Sequence, residues 1–225
     1  MRNFQVALDG PAGSGKSSIS KIVAQELSFV HIDTGAMYRA VTLEALNRKV
    51  DLADPKSYTF LENTSIKYVN DQIWLNGIDV SNEVRSDIVT RNVSLVSSLA
   101  YVREKMVSYQ RISASEGLIL MDGRDIGTVV LPNAHLKIFL TASVEERAAR
   151  RAKEIVAKGL VANYNNVLDD IRIRDYKDSH RKNSPLKRAE DAVLIDTTMI
   201  SIEEVVEKIK CLVIERMNKD EWWIK

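Results

Sequence analysis

Residues 10–17 read Gly10-Pro11-Ala12-Gly13-Ser14-Gly15-Lys16-Ser17, the spacing G-x-x-x-x-G-K-[ST] of a phosphate-binding loop. Its flanks supply the context the motif needs. Phe4 to Leu8 is an apolar strand candidate. Ser17 to Glu26 reads as a helix, with Ile19, Ile22, Val23 and the following Leu27 at helical spacing. Strand, glycine-rich turn and helix curl backbone N–H groups inward as an anion nest. The helix N-terminus adds partial positive charge. Lys16 is placed to reach the β- and γ-phosphates of a nucleoside triphosphate. The Ser17 hydroxyl suits magnesium, and Ser18 completes the donor-side set.

The rest of the chain alternates strands and helices. Phe29 to Ile32 is a second strand ending at Asp33-Thr34-Gly35, with a helix from Ala36 to Asn47. Asp54-Pro55 has the form of an N-cap followed by proline at the first helical position. A long helical region from Asp87 to Ser115 puts Val89, Val93, Val96 and Ala100 on one face, with a bend near Leu99 to Tyr101. Leu118 to Met121 and Leu136 to Leu140 are buried-strand runs, and Ala192 to Ile195 is a later strand. Capping boxes open helices at Ser143 and Ser201, and another helix spans Tyr164 to His180. This alternation predicts an α/β three-layer fold around a parallel sheet, with ligands at the carboxyl ends of its strands. Residues 66–80 break the pattern. Three short strand candidates, separated by Asn70-Asp71 and Asn76-Gly77, predict a small antiparallel meander inserted at about 51–86.

Composition narrows the function. The 225 residues carry 32 Lys+Arg and 31 Asp+Glu, a net charge of +1, which argues against a general nucleic-acid binder. One cysteine, Cys211, forms no intrachain disulfide and fits a reducing compartment. No signal-peptide pattern and no apolar run of membrane-spanning length is present, so a cytoplasmic protein with no membrane partner is expected.

Two further constellations carry chemistry. Asp122 closes the apolar run Leu118 to Met121, as the second magnesium-side carboxylate of phosphate-loop enzymes does, and Gly123-Arg124-Asp125-Ile126-Gly127 follows it. Arg147, Arg150 and Arg151 share one helix face, and Arg174, Asp178 and Arg181 share another. Residues 143–190 hold twelve Lys+Arg against eight Asp+Glu. Arginine's planar fork donates bidentately to phosphate, so these faces predict an arginine-rich lid over residues 143–182. His31 and His135 read as packing residues, His180 as exposed, and none is required for the chemistry.

With the loop, Asp33-Thr34-Gly35-Ala36-Met37-Tyr38-Arg39, Asp122-Gly123-Arg124-Asp125 and Arg174 to Arg181 in view, the chain resembles the bacterial cytidylate kinases over essentially its whole length. The resemblance implies a P-loop nucleoside monophosphate kinase that uses ATP and magnesium to phosphorylate CMP or dCMP, acts on small molecules and is a monomer. The inserted strands would then be an enlarged monophosphate-binding subdomain. Thr34, where some relatives have serine, would keep a hydroxyl near the acceptor. Tyr38 and Arg39 would face the monophosphate. Ser94, Arg103 and Asp125 would read the cytosine edge. Arg124, Arg174 and Arg181 would gather phosphate oxygens, Asp178 would lie near the acceptor's sugar, and Arg147, Arg150 and Arg151 would belong to the lid. Lys16 would act on the transferring group, and Ser17 with Asp122 on the metal.

Hydrogen-bond polarity supports a cytosine site. A carboxylate accepts from the N4 amino group, while arginine or serine satisfies the ring's acceptors. Two readings compete with this one. Another monophosphate kinase, for UMP or AMP, would lack the need for Ser94, Arg103 and Asp125 together. A nucleotide-gated switch would leave the two arginine faces without purpose.

Overall fold

The computed structural model describes residues 3–157 and 159–219, so Trp222 and Trp223 lie outside the described residues. Five parallel strands form the central sheet: β1 (Asn3–Asp9), β2 (Val30–Asp33), β6 (Gly117–Gly123), β7 (Leu136–Thr141) and β8 (Val193–Asp196). Their spatial order is β2-β6-β1-β7-β8. Both faces are covered, and the strand residues alternate accordingly. Val6, Leu8 and Leu120 pack with α1 (Lys16–Leu27) and α7 (Ile202–Lys219). Ala7, Ile119 and Met121 pack with α2 (Thr34–Asn47) and α4 (Ala100–Ser113) on the other face. Continuous apolar strands with helices on each side are what a parallel sheet requires.

The long helical region is two helices. α3 (Asp87–Val96) buries Val89, Val93 and Val96, and the chain becomes extended at Leu99 before α4 begins. Ala100 is exposed and starts the new helix rather than continuing the valine stripe. Asp54 caps a 3-10 segment, Pro55–Asn63, by accepting from the Lys56 N–H. At α7, Ser201 Oγ accepts from the Glu204 N–H while the Glu204 carboxylate accepts from the Ser201 N–H, a closed capping box. Ahead of α5 (Val144–Ala157) only half of that box forms. Ser143 Oγ accepts from Glu146, but the Glu146 carboxylate turns to Arg150.

The small sheet, β3 (Ile66–Val69), β4 (Gln72–Leu75) and β5 (Ile78–Asp79), is antiparallel. Its two-residue turns place Asn70, Asp71, Asn76 and Gly77 at φ of 52°, 59°, 50° and 82°. Asparagine, aspartate and glycine tolerate that left-handed backbone, and such turns match strand twist. Ile66, Ile73 and Leu75 join the same buried cluster as Met37 and Val41 of α2, so the sheet shares the main core.

Candidate active site

Parallel register brings three aspartates to the carboxyl edge of the sheet. Asp33 ends β2 opposite Asp122 of β6, and Asp9 ends β1 opposite Gly123. The phosphate loop leaves β1 directly after Asp9. Gly10, Gly13 and Gly15 take φ of 154°, 75° and 86°. A Cβ at Gly10 would lie 2.1 Å from the Leu140 carbonyl oxygen, so backbone approach alone excludes a side chain there. Pro11, Ala12 and Ser14 are buried, while Ser17 and Ser18 are exposed on the first turn of α1. Lys16 folds back over the loop, donating to the Pro11 carbonyl at 2.6 Å and to Ser14 Oγ at 3.2 Å. Burial, followed by the charge of Arg124, holds its ammonium pKa well below the usual lysine range. An anion in the loop would favour the charged ammonium against both causes.

Ser17 Oγ donates to Asp122 Oδ1 at 3.1 Å. Two oxygen donors beside the phosphate loop fit magnesium, a hard cation that takes few protein ligands and keeps waters and phosphate oxygens for the rest. Asp122 Oδ2 is engaged elsewhere, 2.8 Å from His31 Nε2. The other ring nitrogen, Nδ1, lies 3.0 Å from Asp71 Oδ1. Burial disfavours the charged imidazole, but the hydrogen bonds to Asp122 and Asp71 outweigh it and raise the His31 pKa. His31 is therefore no plain packing residue, unlike His135, which stacks on Phe4 at 4.7 Å and accepts from the Gln5 N–H. Asp33 caps α2 by accepting from the Ala36 N–H, and its pKa is raised by burial and then by the Asp122 charge.

The residues expected to serve the acceptor line one cleft. Thr34, Tyr38 and Arg39 come from α2, Ser94 and Ser97 from α3 and its end, and Arg103 from α4. Arg124 and Asp125 follow β6, while Arg174, Asp178 and Arg181 come from α6 (Tyr164–His180) and its cap. Thr34 Oγ1 donates to the Asp122 carbonyl at 2.8 Å, and Arg39 donates to Thr90 Oγ1 at 2.8 Å. Tyr38 lies under the Arg103 guanidinium, 5.3 Å from ring centroid to carbon, and burial pushes its phenol up to about 12. Arg103 also donates to Asp125 Oδ2 and to the Ser97 carbonyl. Arg181 donates to Asp125 Oδ1 at 3.3 Å.

Cations crowd the middle of the cleft. Arg124 donates to Asp178 Oδ2 at 3.0 Å. Burial tends to raise the Asp178 pKa, but Arg124, Arg174 and Arg181 outweigh it and hold the carboxyl below its usual range. Arg174 is pushed down to about 10, first by burial and then by the Arg124 charge. Its Nε is buried without a hydrogen-bond partner. A site that packs guanidinium groups this closely, with fewer carboxylates than cations, is built for an anion.

The three arginines of α5 do not converge. Arg147 is buried against the phosphate loop, donating to the Ala12 carbonyl at 3.0 Å and pairing with Asp175 of α6 at 2.6 Å. Arg150 turns to the chain after β8, donating to Thr197 Oγ1 and to the Thr197 carbonyl. Arg151 pairs with Glu154, and its charge still bears on Arg39 and Arg174.

Asp9 carries a role that local sequence does not announce. Its two carboxylate oxygens accept from the Ile126 and Gly127 N–H groups, each at 2.7 Å. That grip fixes the π-type turn Ile126–Val130 and, just before it, Arg124 and Asp125. Its signal was the one shared with Asp33 and Asp122, an aspartate at the carboxyl end of an apolar strand.

The sequence model of the family described as Cytidylate kinase matches residues 6–215. A cytidylate kinase of Acholeplasma laidlawii (strain PG-8A) is 53% identical over 209 residues, covering 93% of this chain and 94% of that protein. One from Streptococcus pneumoniae (strain 70585) is 49% identical over 223 residues, covering 96% of this chain and 100% of that one. Among solved structures, a gluconokinase from Sinorhizobium meliloti 1021 matches with a TM-score of 0.50 at 12% identity, covering 100% of both chains, a likeness of fold alone.

Proposed function

The chain belongs to the cytidylate kinase family and is a nucleoside monophosphate kinase acting on CMP or dCMP; we propose that ATP with magnesium is its donor and that the cleft residues carry the transfer. An oxygen of the acceptor's phosphate attacks the γ-phosphorus of ATP. The bond from that phosphorus to the β-bridging oxygen breaks, giving ADP and CDP or dCDP. The attacking oxygen is already anionic, so no strong general base is needed. Catalysis is positioning and charge neutralisation.

Each part of the site has a place in this scheme. The backbone of residues 10–18 cradles the donor's phosphates, and Lys16 bears on the transferring group. Magnesium, held on the Ser17 and Asp122 side, would supply neutralisation of the β- and γ-oxygens. Arg124, Arg174 and Arg181 neutralise acceptor and transferring oxygens, with Arg39 on the acceptor phosphate. Arg147 and Arg151 bring α5 to the donor. Ser94, Arg103 and Asp125 read the base, and Asp178 lies toward the sugar. Residues 51–86 serve the monophosphate, and residues 143–182 close over the donor. The lone Cys211 fits a reducing cytoplasm, and the chain acts as a monomer. Among the described residues no helix is long and apolar enough to cross a membrane.

The observation that carries the reading is the cationic cleft, with Arg174 buried and lacking a partner at Nε. A coupled assay with ATP and CMP, dCMP, UMP or AMP tests it. ADP formation should depend on added CMP or dCMP. Equal turnover with UMP would remove the base assignment, and turnover independent of any mononucleotide would remove the acceptor site.

A further inference from the structure

The contacts of His31 belong to a longer chain. Lys21 Nζ lies 3.1 Å from Asp71 Oδ2, Asp71 Oδ1 lies 3.0 Å from His31 Nδ1, His31 Nε2 lies 2.8 Å from Asp122 Oδ2, and Ser17 Oγ lies 3.1 Å from Asp122 Oδ1. Lys21 and Ser17 are one turn apart on α1, so the chain of contacts closes on the helix where it began. Asp71 enters this ring from the small sheet. It sits at the β3–β4 turn, where positive φ at both Asn70 and Asp71 marks a fixed hairpin turn. Tyr68 of the same hairpin packs edge-on to the imidazole, with ring centroids 5.6 Å apart, and donates to Asp71 Oδ1 at 3.4 Å. The His31 side chain is 6% exposed.

We propose that His31, held by Asp71, is a positioning residue that fixes the orientation of Asp122, so that the small sheet controls the metal side of the reaction through one buried imidazole. The inference rests on reading Ser17 and Asp122 as the magnesium-side pair. A carboxylate at a strand end can rotate about its side-chain bonds. His31 takes Oδ2 from behind, which leaves Oδ1 on the Ser17 side. The imidazole would itself be free to tilt without a partner at Nδ1, and Asp71 supplies that partner. Removing groups that orient a metal-side ligand typically costs about 10- to 100-fold in metal affinity or activity. The arrangement gives the hairpin a function beyond the acceptor. Its turn is seated on the helix that follows the phosphate loop, so a displaced hairpin would loosen Asp122 as well.

The test uses the full chain and three variants, His31→Phe, His31→Gln and Asp71→Asn. Asparagine tolerates the positive φ at residue 71, and glutamine can still donate to one carboxylate. Manganese binding to the enzyme with a non-hydrolysable ATP analogue is followed by electron paramagnetic resonance, beside kcat and KM for CMP. His31→Phe should weaken metal binding and lower kcat, each by about tenfold, with KM for CMP within about twofold of wild type. His31→Gln should recover part of both. Asp71→Asn should shift both in the same direction by less, and should have no further effect in the His31→Phe background. Wild-type metal affinity and kcat in folded His31→Phe would overturn the proposal. So would an Asp71→Asn effect of undiminished size in the double variant. Asp122→Asn in the same titration separates the two readings: lost metal affinity there, with none lost in the His31 variants, refutes the positioning role alone. Intact metal affinity in Asp122→Asn refutes the metal-side assignment, and the positioning role with it.

Discussion

Arg103 and Asp125 are ion-paired across the floor of the cleft, joining α4 to the loop after β6 at a depth where neither is more than 5% exposed. Each side chain that would read the base is thus already oriented by the other. Asp125 Oδ1 is also drawn toward Arg181. A carboxylate oxygen has two acceptor sites, so Asp125 keeps capacity for the cytosine amino group. Asp125→Asn should narrow the preference for CMP over UMP, because an amide offers a donor as well as an acceptor. Asp125→Ala should abolish it. A lost charged hydrogen bond is worth about 1.5–3 kcal/mol, or roughly ten- to a hundredfold in the ratio of kcat/KM values. Unpairing buried Arg103 costs stability too, about 3–5 kcal/mol, so denaturant melts must accompany the kinetics. An unchanged CMP to UMP ratio in folded Asp125→Asn would move Asp125 from base reading to support of the arginines.

Lys16→Ala should separate catalysis from folding. Among the described residues the side chain bonds only to its own loop, and its charge is unfavourably buried near Arg124. Removing it should lower kcat by about 10²–10³-fold, the scale for losing one preorganised charge-stabilising group. The thermal midpoint should hold or rise, since the cation removed is one whose burial outweighs the nearby carboxylates of Asp122 and Asp9. Near-wild-type turnover would refute the loop's catalytic assignment.

Asp9 predicts a pH signature of stability. Burial pushes its carboxyl from 3.8 up to about 6, against the two backbone N–H bonds that favour the charged form. Between those values the folded chain keeps a proton that the unfolded chain has released. Its contribution is therefore fully present below pH 3.8 and is lost as pH rises toward 6, by about 3 kcal/mol. Urea melts from pH 3.5 to 7 should show wild type losing about that much relative to Asp9→Asn. Parallel stability curves for the two proteins would refute the shift.

The pair Arg147–Asp175 ties α5 to α6 while Arg147 touches the phosphate loop. Occupying the donor site should therefore quiet both helices. Amide exchange over residues 144–157 and 164–180 should slow when a bisubstrate analogue is added, and less so in Arg147→Ala. Equal exchange with and without saturating analogue would identify these helices as a fixed wall.

What the sequence disclosed depended on how local the physics was. The phosphate loop, the Asn70-Asp71 and Asn76-Gly77 turns and the Ser201 capping box are set by residues within a few positions of one another. Each was readable before any fold was known. The grip of Asp9 on Gly127 spans 118 positions and that of His31 on Asp122 spans 91. No spacing rule encodes such contacts; they arise from strand order in the sheet. The arginines of α5 show the middle case. Helical spacing put them on one side, but neighbours on three different segments drew Arg147, Arg150 and Arg151 apart. The bend expected near Leu99 to Tyr101 is there as a full break between α3 and α4, although the valine stripe continued through Ala100 could not say that the helix stops outright.

Asp9 and Gly10 share a peptide bond, yet one holds the segment that carries Arg124 and Asp125 and the other begins the glycine-rich loop proposed for the donor's phosphates. On that assignment donor and acceptor would be referenced to the same point on the same strand, and neither segment could shift far without dragging the other. The distance the phosphoryl group must cross would then be a property of the sheet. On the proposed scheme, closure would fall to α5 and α6, which would decide when the gap is closed but not how wide it is.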